Sequence, residues 1–377
     1  MAGKAKVVIS KCASYERERV LDAVRRCLEP LGGMSAFVKP GRKVLLKPNL
    51  LTALSPERGV TTHPSVVAAT AQLVRDAGGR LFLGDSPGIG SIEKIVDATG
   101  MKQVMQEFDI EHVPFRKSAP VSTGADGPLR EVEIEDAVLD CDVLINLPKM
   151  KTHGQMFLTL AVKNLFGCVI GPRKLQWHLK AGTDYEHFAR MLVYIARAAA
   201  PALSIIDGVV TMEGAGPQGG DLRDIGVIAA SADAVALDVV VTQMLGFEPD
   251  KIYTIRMARE IGWGVTNPGD IEIAGDNIED VSVTDFQPPR KSDLILPVPG
   301  IVKRVLRRLL TTRPSVDVKK CRLCGDCAKI CPAKAITIDK KVKIDHGRCI
   351  RCFCCQEICS FQAIRMHDGL LVRLIRR

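Results

Sequence analysis

Aromatic side chains are scarce in this chain of 377 residues, at 5%, with two tryptophans and four tyrosines. That scarcity removes the aromatic-interleaved basic groove on which single-stranded nucleic acid stacks, in spite of a formal charge of +9. Long apolar runs are missing as well. The longest, around Val227 to Phe247, contains Asp233 and Asp238, so no segment reads as a spanning helix. The N-terminus reaches polar residues directly after Val7-Val8-Ile9 and shows no secretory h-region, which sets a cytoplasmic expectation. Gly84 to Ser91 lacks the lysine of a P-loop. Gly214-x-Gly216-x-x-Gly219 is a broken dinucleotide fingerprint, interrupted by Pro217 and leading through Asp221-Leu222-Arg223 toward a strand. No motif indicates a flavin, although a flavin can bind without a linear signature.

What the chain has in plenty is cysteine, thirteen residues of it, eight of them in two copies of one motif. Cys321, Cys324, Cys327 and Cys331 are spaced C-x2-C-x2-C-x3-C, and so are Cys349, Cys352, Cys355 and Cys359. The offset of 28 residues also aligns Ile330 with Ile358, Ala335 with Ala363 and Ile336 with Ile364, the mark of a duplicated unit. Two-residue gaps let three soft thiolates wrap one iron–sulfur cluster from a tight loop while the fourth arrives from elsewhere. The expected ligands are therefore Cys321, Cys324, Cys327 and Cys359 for a first 4Fe–4S cluster, and Cys349, Cys352, Cys355 and Cys331 for a second. Zinc prefers two CxxC pairs with a longer loop between them. Disulfides need an oxidising compartment, whereas Cys12, Cys27, Cys141 and Cys168 are scattered singly, as buried thiols are.

With Pro332 after the fourth cysteine of the first copy, the segment from about 316 to 368 resembles a bacterial two-cluster 4Fe–4S ferredoxin domain. It departs from that pattern at Ser360, where the proline would recur, and at Cys354, which stands where the first copy has Asp326. The expected role is electron transport, with two neighbouring clusters as a one-electron relay. Lys319, Lys320, Arg322, Lys329 and Arg348 near the ligands suit a redox protein donor or acceptor of opposite charge.

Residues 1–287 read as an α/β domain. Apolar β-rich runs at Lys43 to Leu46, Leu81 to Leu83, Val143 to Leu147, Leu203 to Ile206, Ile225 to Ala229 and Ile271 to Ala274 alternate with helical patterns, including Pro64 to Ala77 and Tyr185 to Ala199. That order implies a mixed or mostly parallel sheet. A linker, 288–315, follows. From Arg290 to Arg313 it carries seven basic side chains against one acid, and Ile301 to Leu310 have amphipathic helical spacing. Such a helix docks between domains or makes peripheral contact with an anionic membrane. The ferredoxin unit and a basic tail fill 316–377.

In a parallel α/β sheet, ligands bind beyond the carboxyl ends of the strands. Polar clusters follow the strands here. On that ground Lys149, Lys151, His153 and Glu213 are the candidate catalytic residues, and Lys47, Asn49, Asp85, Ser86 and Lys163 the candidate binding residues, with Asp207 facing them. Lysines with a histidine suit a small anionic substrate, carboxylate or phosphate. Lys47-Pro48-Asn49, Asp85-Ser86-Pro87-Gly88, Leu147-Pro148-Lys149-Met150-Lys151-Thr152-His153, Lys163-Asn164-Leu165-Phe166-Gly167 and Asp207-Gly208 with Glu213-Gly214 resemble the domain of unknown function 362 family over residues 5–285. The resemblance implies frequent fusion to ferredoxin domains and supplies no reaction. The combined expectation is an iron–sulfur oxidoreductase passing electrons to an anionic substrate at the α/β domain. Its alternative is an electron carrier or redox-sensing binding module without catalysis.

Overall fold

Alternating β-branched runs and amphipathic helices set the architecture of the large domain. The computed structural model describes residues 4–87, 90–182, 184–289 and 313–367. The amphipathic pattern of Ile301 to Leu310 and the tail from Leu370 lie outside them. Among the described residues twelve strands precede the linker: β1 (Ala5–Lys11), β2 (Lys43–Pro48), β3 (Arg80–Leu83), β4 (Glu111–His112), β5 (Ser118–Ser122), β6 (Glu131–Glu135), β7 (Val143–Leu147), β8 (Lys149–His153), β9 (Phe157–Thr159), β10 (Leu203–Glu213), β11 (Asp221–Ser231) and β12 (Ile271–Gly275). Ten of them form one mixed sheet with the order β12-β1-β11-β10-β7-β2-β3-β4, and β8 and β9 extend it beside β10. The β10-β7-β2-β3-β4 half is parallel, whereas β11 is antiparallel to both β1 and β10. The expected strand at Ile225 to Ala229 is thus an inner stretch of a longer strand, paired in a hairpin with β10.

Both sheet faces are covered, which explains why β7 is buried at every residue. Along the strands the side chains alternate between two cores: Val44 and Leu46 face one, Leu45 the other. The helices Arg17–Leu28 and Pro64–Asp76 close the first core, and Tyr185–Ala199, Ala234–Met244 and Tyr253–Ile261 the second. Pro64 sits at the first turn of its helix, where its missing N–H costs nothing, and the imidazole Nδ1 of His63 accepts from Ser65 N–H (3.2 Å). Asp233 caps Ala234–Met244 by accepting from Val235 and Ala236 N–H.

The first described strand of the small domain takes in Arg313, Pro314 and Ser315, three residues of the expected linker. β13 (Arg313–Val316) pairs antiparallel with β16 (Ile364–His367), and β14 (Ile336–Ile338) with β15 (Val342–Ile344). The duplication extends to the backbone. Leu323 and its counterpart Arg351, and Lys334 and its counterpart Gln362, all adopt left-handed φ near +50°. The short helices Asp326–Ile330 and Cys354–Glu357 are likewise preceded by left-handed residues, Gly325 and Phe353.

Candidate functional site

The carboxyl ends of β2 and β3, together with β8, open onto a cavity of about 100 Å³. Lys47 and Asn49 come from the end of β2, Asp85 and Ser86 from the turn after β3, Lys151 and His153 from β8, and Lys163 from the helix Ala161–Asn164. Lys174 and His178 reach it from the helix Gly171–Ala181. The remaining wall belongs to the small domain: Ile330, Cys354, Glu357 and Ile358. The cavity is therefore a junction between the two domains, with Leu50, Phe166 and Leu175 as its apolar lining.

Four lysines in one cavity repel one another, and the structure manages this with a few specific contacts. Lys47 Nζ stands 2.9 Å from Asp85 Oδ1 and donates to Pro48 O (2.9 Å), while Asp85 Oδ2 accepts from Leu50 N–H (2.8 Å). Gly167 packs on this pair so closely that a β-carbon there would lie 2.0 Å from the Asp85 carboxylate, so only glycine fits. Lys151 Nζ donates to Asn49 Oδ1 (2.9 Å) and to Val60 O. Lys174 donates to Ser86 O and, with Lys163, faces the Phe166 ring, at 5.6 Å and 5.3 Å from its centroid. Burial lowers the Lys151 pKa to about 7, assisted by the neighbouring Lys163 charge, and burial likewise lowers Lys174 to about 7. Lys163 is shifted down for the same reason.

His153 is held at both nitrogens. Its Nδ1 accepts from Gln155 and Met156 N–H (3.1 Å each), and its Nε2 lies 2.9 Å from Glu357 Oε1. Burial lowers its pKa, so the ring is neutral at pH 7 with the proton on Nε2. Burial opposes the Glu357 charge, but His153 and Lys163 outweigh it and hold that carboxyl at about 2. His178, stacked on Phe188 with centroids 4.5 Å apart, is pushed down to about 3 by burial. Among the described residues, His178 Nδ1 and Thr159 Oγ1 line the cavity without a hydrogen-bond partner. Orphaned buried polar atoms of this kind are what a bound polar ligand would satisfy.

The structure brings Lys47, Asn49, Asp85, Ser86, Lys151, His153 and Lys163 together and places Lys149 and Glu213 elsewhere. Lys149 shares a face of β8 with Lys151 and His153, but its Nζ pairs with Asp207 Oδ1 (2.9 Å) and donates to Tyr15 Oη (2.7 Å). Tyr15 donates to the same carboxylate (2.7 Å) and stacks on His63. Asp207, expected to face the pocket, is consumed by this second cluster. Glu213 accepts from Gln287 N–H (3.0 Å) and lies 3.5 Å from Arg223, tying down the end of β10. Sequence reasoning missed Lys174, His178 and Glu357. Their sequence signal was a lysine and a histidine four residues apart on one helix, and a glutamate inside the second cysteine repeat.

The small domain gathers its thiols in two groups. Cys321, Cys324, Cys327 and Cys359 line one small cavity, and Cys331, Cys349, Cys352 and Cys355 line another. Each group takes three thiols from one motif and the fourth from the other. Cys331 Sγ accepts from Ala335 N–H and Cys359 Sγ from Ala363 N–H, both at 3.2 Å, the kind of contact that supports cluster thiolates. Among the described residues no three His, Cys, Asp or Glu side chains converge as for a single metal ion. The residues present fit the cysteine-held cluster, with Cys354 left over and turned to the lysine cavity.

An α/β domain closed by a ferredoxin-type iron–sulfur domain defines the class: an iron–sulfur protein with an electron-transfer module. The 4Fe-4S dicluster domain matches residues 320–363. The chain belongs to the family described as a domain of unknown function, DUF362, which matches residues 44–243. A "Thylakoid-associated protein" of Synechocystis sp. is 42% identical over 301 residues, which is 80% of this chain and 92% of the relative. Two solved structures share a distant likeness. One is the lactate racemase apoprotein from Thermoanaerobacterium thermosaccharolyticum, with TM-score 0.40 and 13% identity over 63% of this chain and 56% of that one. The other is a protein from Thermotoga maritima, with TM-score 0.30 and 12% identity over 54% and 52%. The chain spans about half the length of each of these two structures. Among the described residues no helix is long and apolar enough to cross a membrane.

Proposed function

We propose that this chain is an oxidoreductase that passes electrons through two 4Fe–4S clusters to an anionic substrate in the lysine cavity. The observation that carries the reading is the shared wall: the short helix with the cluster ligand Cys355 also presents Cys354 and Glu357 to the cavity. When bound, the two clusters supply one electron each, drawn from an external one-electron donor. Everything else falls to side chains. Lys163 holds the carboxylate or phosphate of a substrate whose body rests on Leu50, Phe166 and Leu175. A two-electron reduction of a polarised double bond also needs two protons, and the ammonium groups of Lys151 and Lys174, with pKa values of about 7, are matched to give them. Solvent returns both protons after product leaves. His153, neutral and engaged at both nitrogens, serves to position Glu357 and is not the proton donor.

The test is reoxidation of the anaerobically reduced full chain by a panel of carboxylates and phosphates, followed by cluster absorbance. Lys151→Ala and Lys174→Ala should abolish substrate-dependent reoxidation with iron content unchanged, and equal rates in both variants would remove the cavity from the mechanism. The shared wall also favours a second reading, a redox-sensing module, which redox-dependent ligand affinity without turnover would select. The thylakoid association is in the relative's name, and peripheral membrane contact for this chain is proposed from that likeness and the basic linker.

A further inference from the structure

The two thiol groups differ in what covers them. In the second, Cys352 and Cys355 are buried and Cys331 and Cys349 half-buried, with Pro314, Ile350 and Phe353 beside them, and the helix that carries Cys355 walls the lysine cavity. The first reaches the surface: Cys324 is exposed, and Leu323 and Phe361, which line its cavity, are each 45% exposed. Two large apolar side chains left in water beside a redox centre, with Val318 at 69% exposure three residues before Cys321, make a patch that a partner would cover. Its rim is basic. Lys319, Lys320 and Arg322 are exposed around it, while the acids on this side are already engaged, Asp317 by Arg365 at 3.0 Å and Asp326 by Lys329 at 3.3 Å.

We infer that this face is the electron port of the molecule and that its occupant is a small acidic one-electron carrier protein. The inference rests on the cluster assignment proposed above and adds a direction: electrons enter beside Cys324 and leave beside Cys354. An apolar centre with a one-signed rim suits a transient redox encounter, in which charge steers and a small dry patch sets the contact distance. The carrier's reduced centre would lose one electron per encounter, and a cluster held by Cys321, Cys324, Cys327 and Cys359 would take it up. No proton or bond changes hands there.

The test is calorimetric titration of the full, cluster-loaded chain with a small acidic 2Fe–2S ferredoxin at low and physiological salt, with iron and sulfide counted in every sample. The wild-type affinity should fall with salt. The charge reversal Lys319→Glu, Lys320→Glu, Arg322→Glu should weaken binding at least about tenfold at low salt, and Leu323→Ser with Phe361→Ser should weaken it at physiological salt. Lys39→Glu, exposed on the large domain, should change neither. Equal loss in Lys39→Glu, or unchanged affinity in both port variants with full iron, overturns the port. Capture of the wild-type chain by anionic lipid vesicles in place of the ferredoxin overturns the choice of occupant. A chain that binds no iron overturns the cluster reading and the port with it.

Discussion

The two buried lysines turn anion binding into a proton-linked event of calculable size. Burial lowers Lys151 and Lys174 from the ordinary 10.5 to about 7, so their ammonium forms predominate only below that pH. An anion in the cavity stabilises the ammonium forms, raises both pKa values, and above pH 7 must draw protons from solvent as it binds. Affinity is accordingly full below pH 7 and is lost as pH rises. Each lysine contributes a factor that grows tenfold per pH unit beyond its pKa, roughly 16-fold between about pH 7 and about pH 8.5, and about 250-fold for the pair. Sulfate, which does not titrate in this range, is a suitable probe. Calorimetric titration in two buffers of different ionisation heat should give a proton uptake approaching about 1.8 per sulfate near pH 8. Lys174→Met should halve the slope of log Kd against pH. A Kd that stays constant across the range, with no proton uptake, would refute the argument that burial sets these charges.

Three further outcomes are expected. Lys149→Ala should destabilise the chain by about 3–5 kcal/mol in denaturant unfolding, because it leaves the buried Asp207 carboxylate without its cation, and should leave sulfate affinity in the folded protein unchanged. Cys359→Ser should remove the centre near Cys324 and Cys331→Ser the one near Cys352, while Cys354→Ser keeps both, as read by iron content and electron paramagnetic resonance of the dithionite-reduced protein. Glu357→Ala should loosen the seat of the small domain by roughly 1–3 kcal/mol, seen as faster hydrogen exchange in Cys354–Glu357, since the contact to His153 Nε2 is lost while Gln356 still donates to Ala215 O at 3.0 Å and Gly216 O at 3.4 Å.

Much of this was legible in the chain because it is local. Cysteine spacing gave the crossed thiol groups, and strand-end polar clusters gave seven of the cavity residues, since a parallel sheet places its strand ends at one edge. What was not legible depends on distance through space. Lys149, Lys151 and His153 alternate correctly for one face of β8, yet a strand advances about 3.3 Å per residue, so four residues separate the ends by roughly 13 Å. Lys149 therefore falls to Asp207 and Tyr15 while His153 meets Glu357. Lys174 and His178 lie on a helix whose exposed neighbours Arg173 and Leu179 gave no hint that one side closes a cavity. Glu357 was hidden because the repeat drew attention to its cysteines.

That repeat has a second consequence. Both halves of the small domain need their cysteines, but the positions between them are under no such obligation, and in the second half they have been put to another use. Asp326, Ala328 and Lys329 of the first half correspond to Cys354, Gln356 and Glu357 of the second, the residues that touch the large domain. Duplication has thus released one copy to serve as a fitted lid while the other keeps Cys324, Leu323 and Phe361 exposed to solvent. A free-standing ferredoxin grafted in its place would carry the iron and leave the chamber unsealed, so the two modules of this chain are not interchangeable parts.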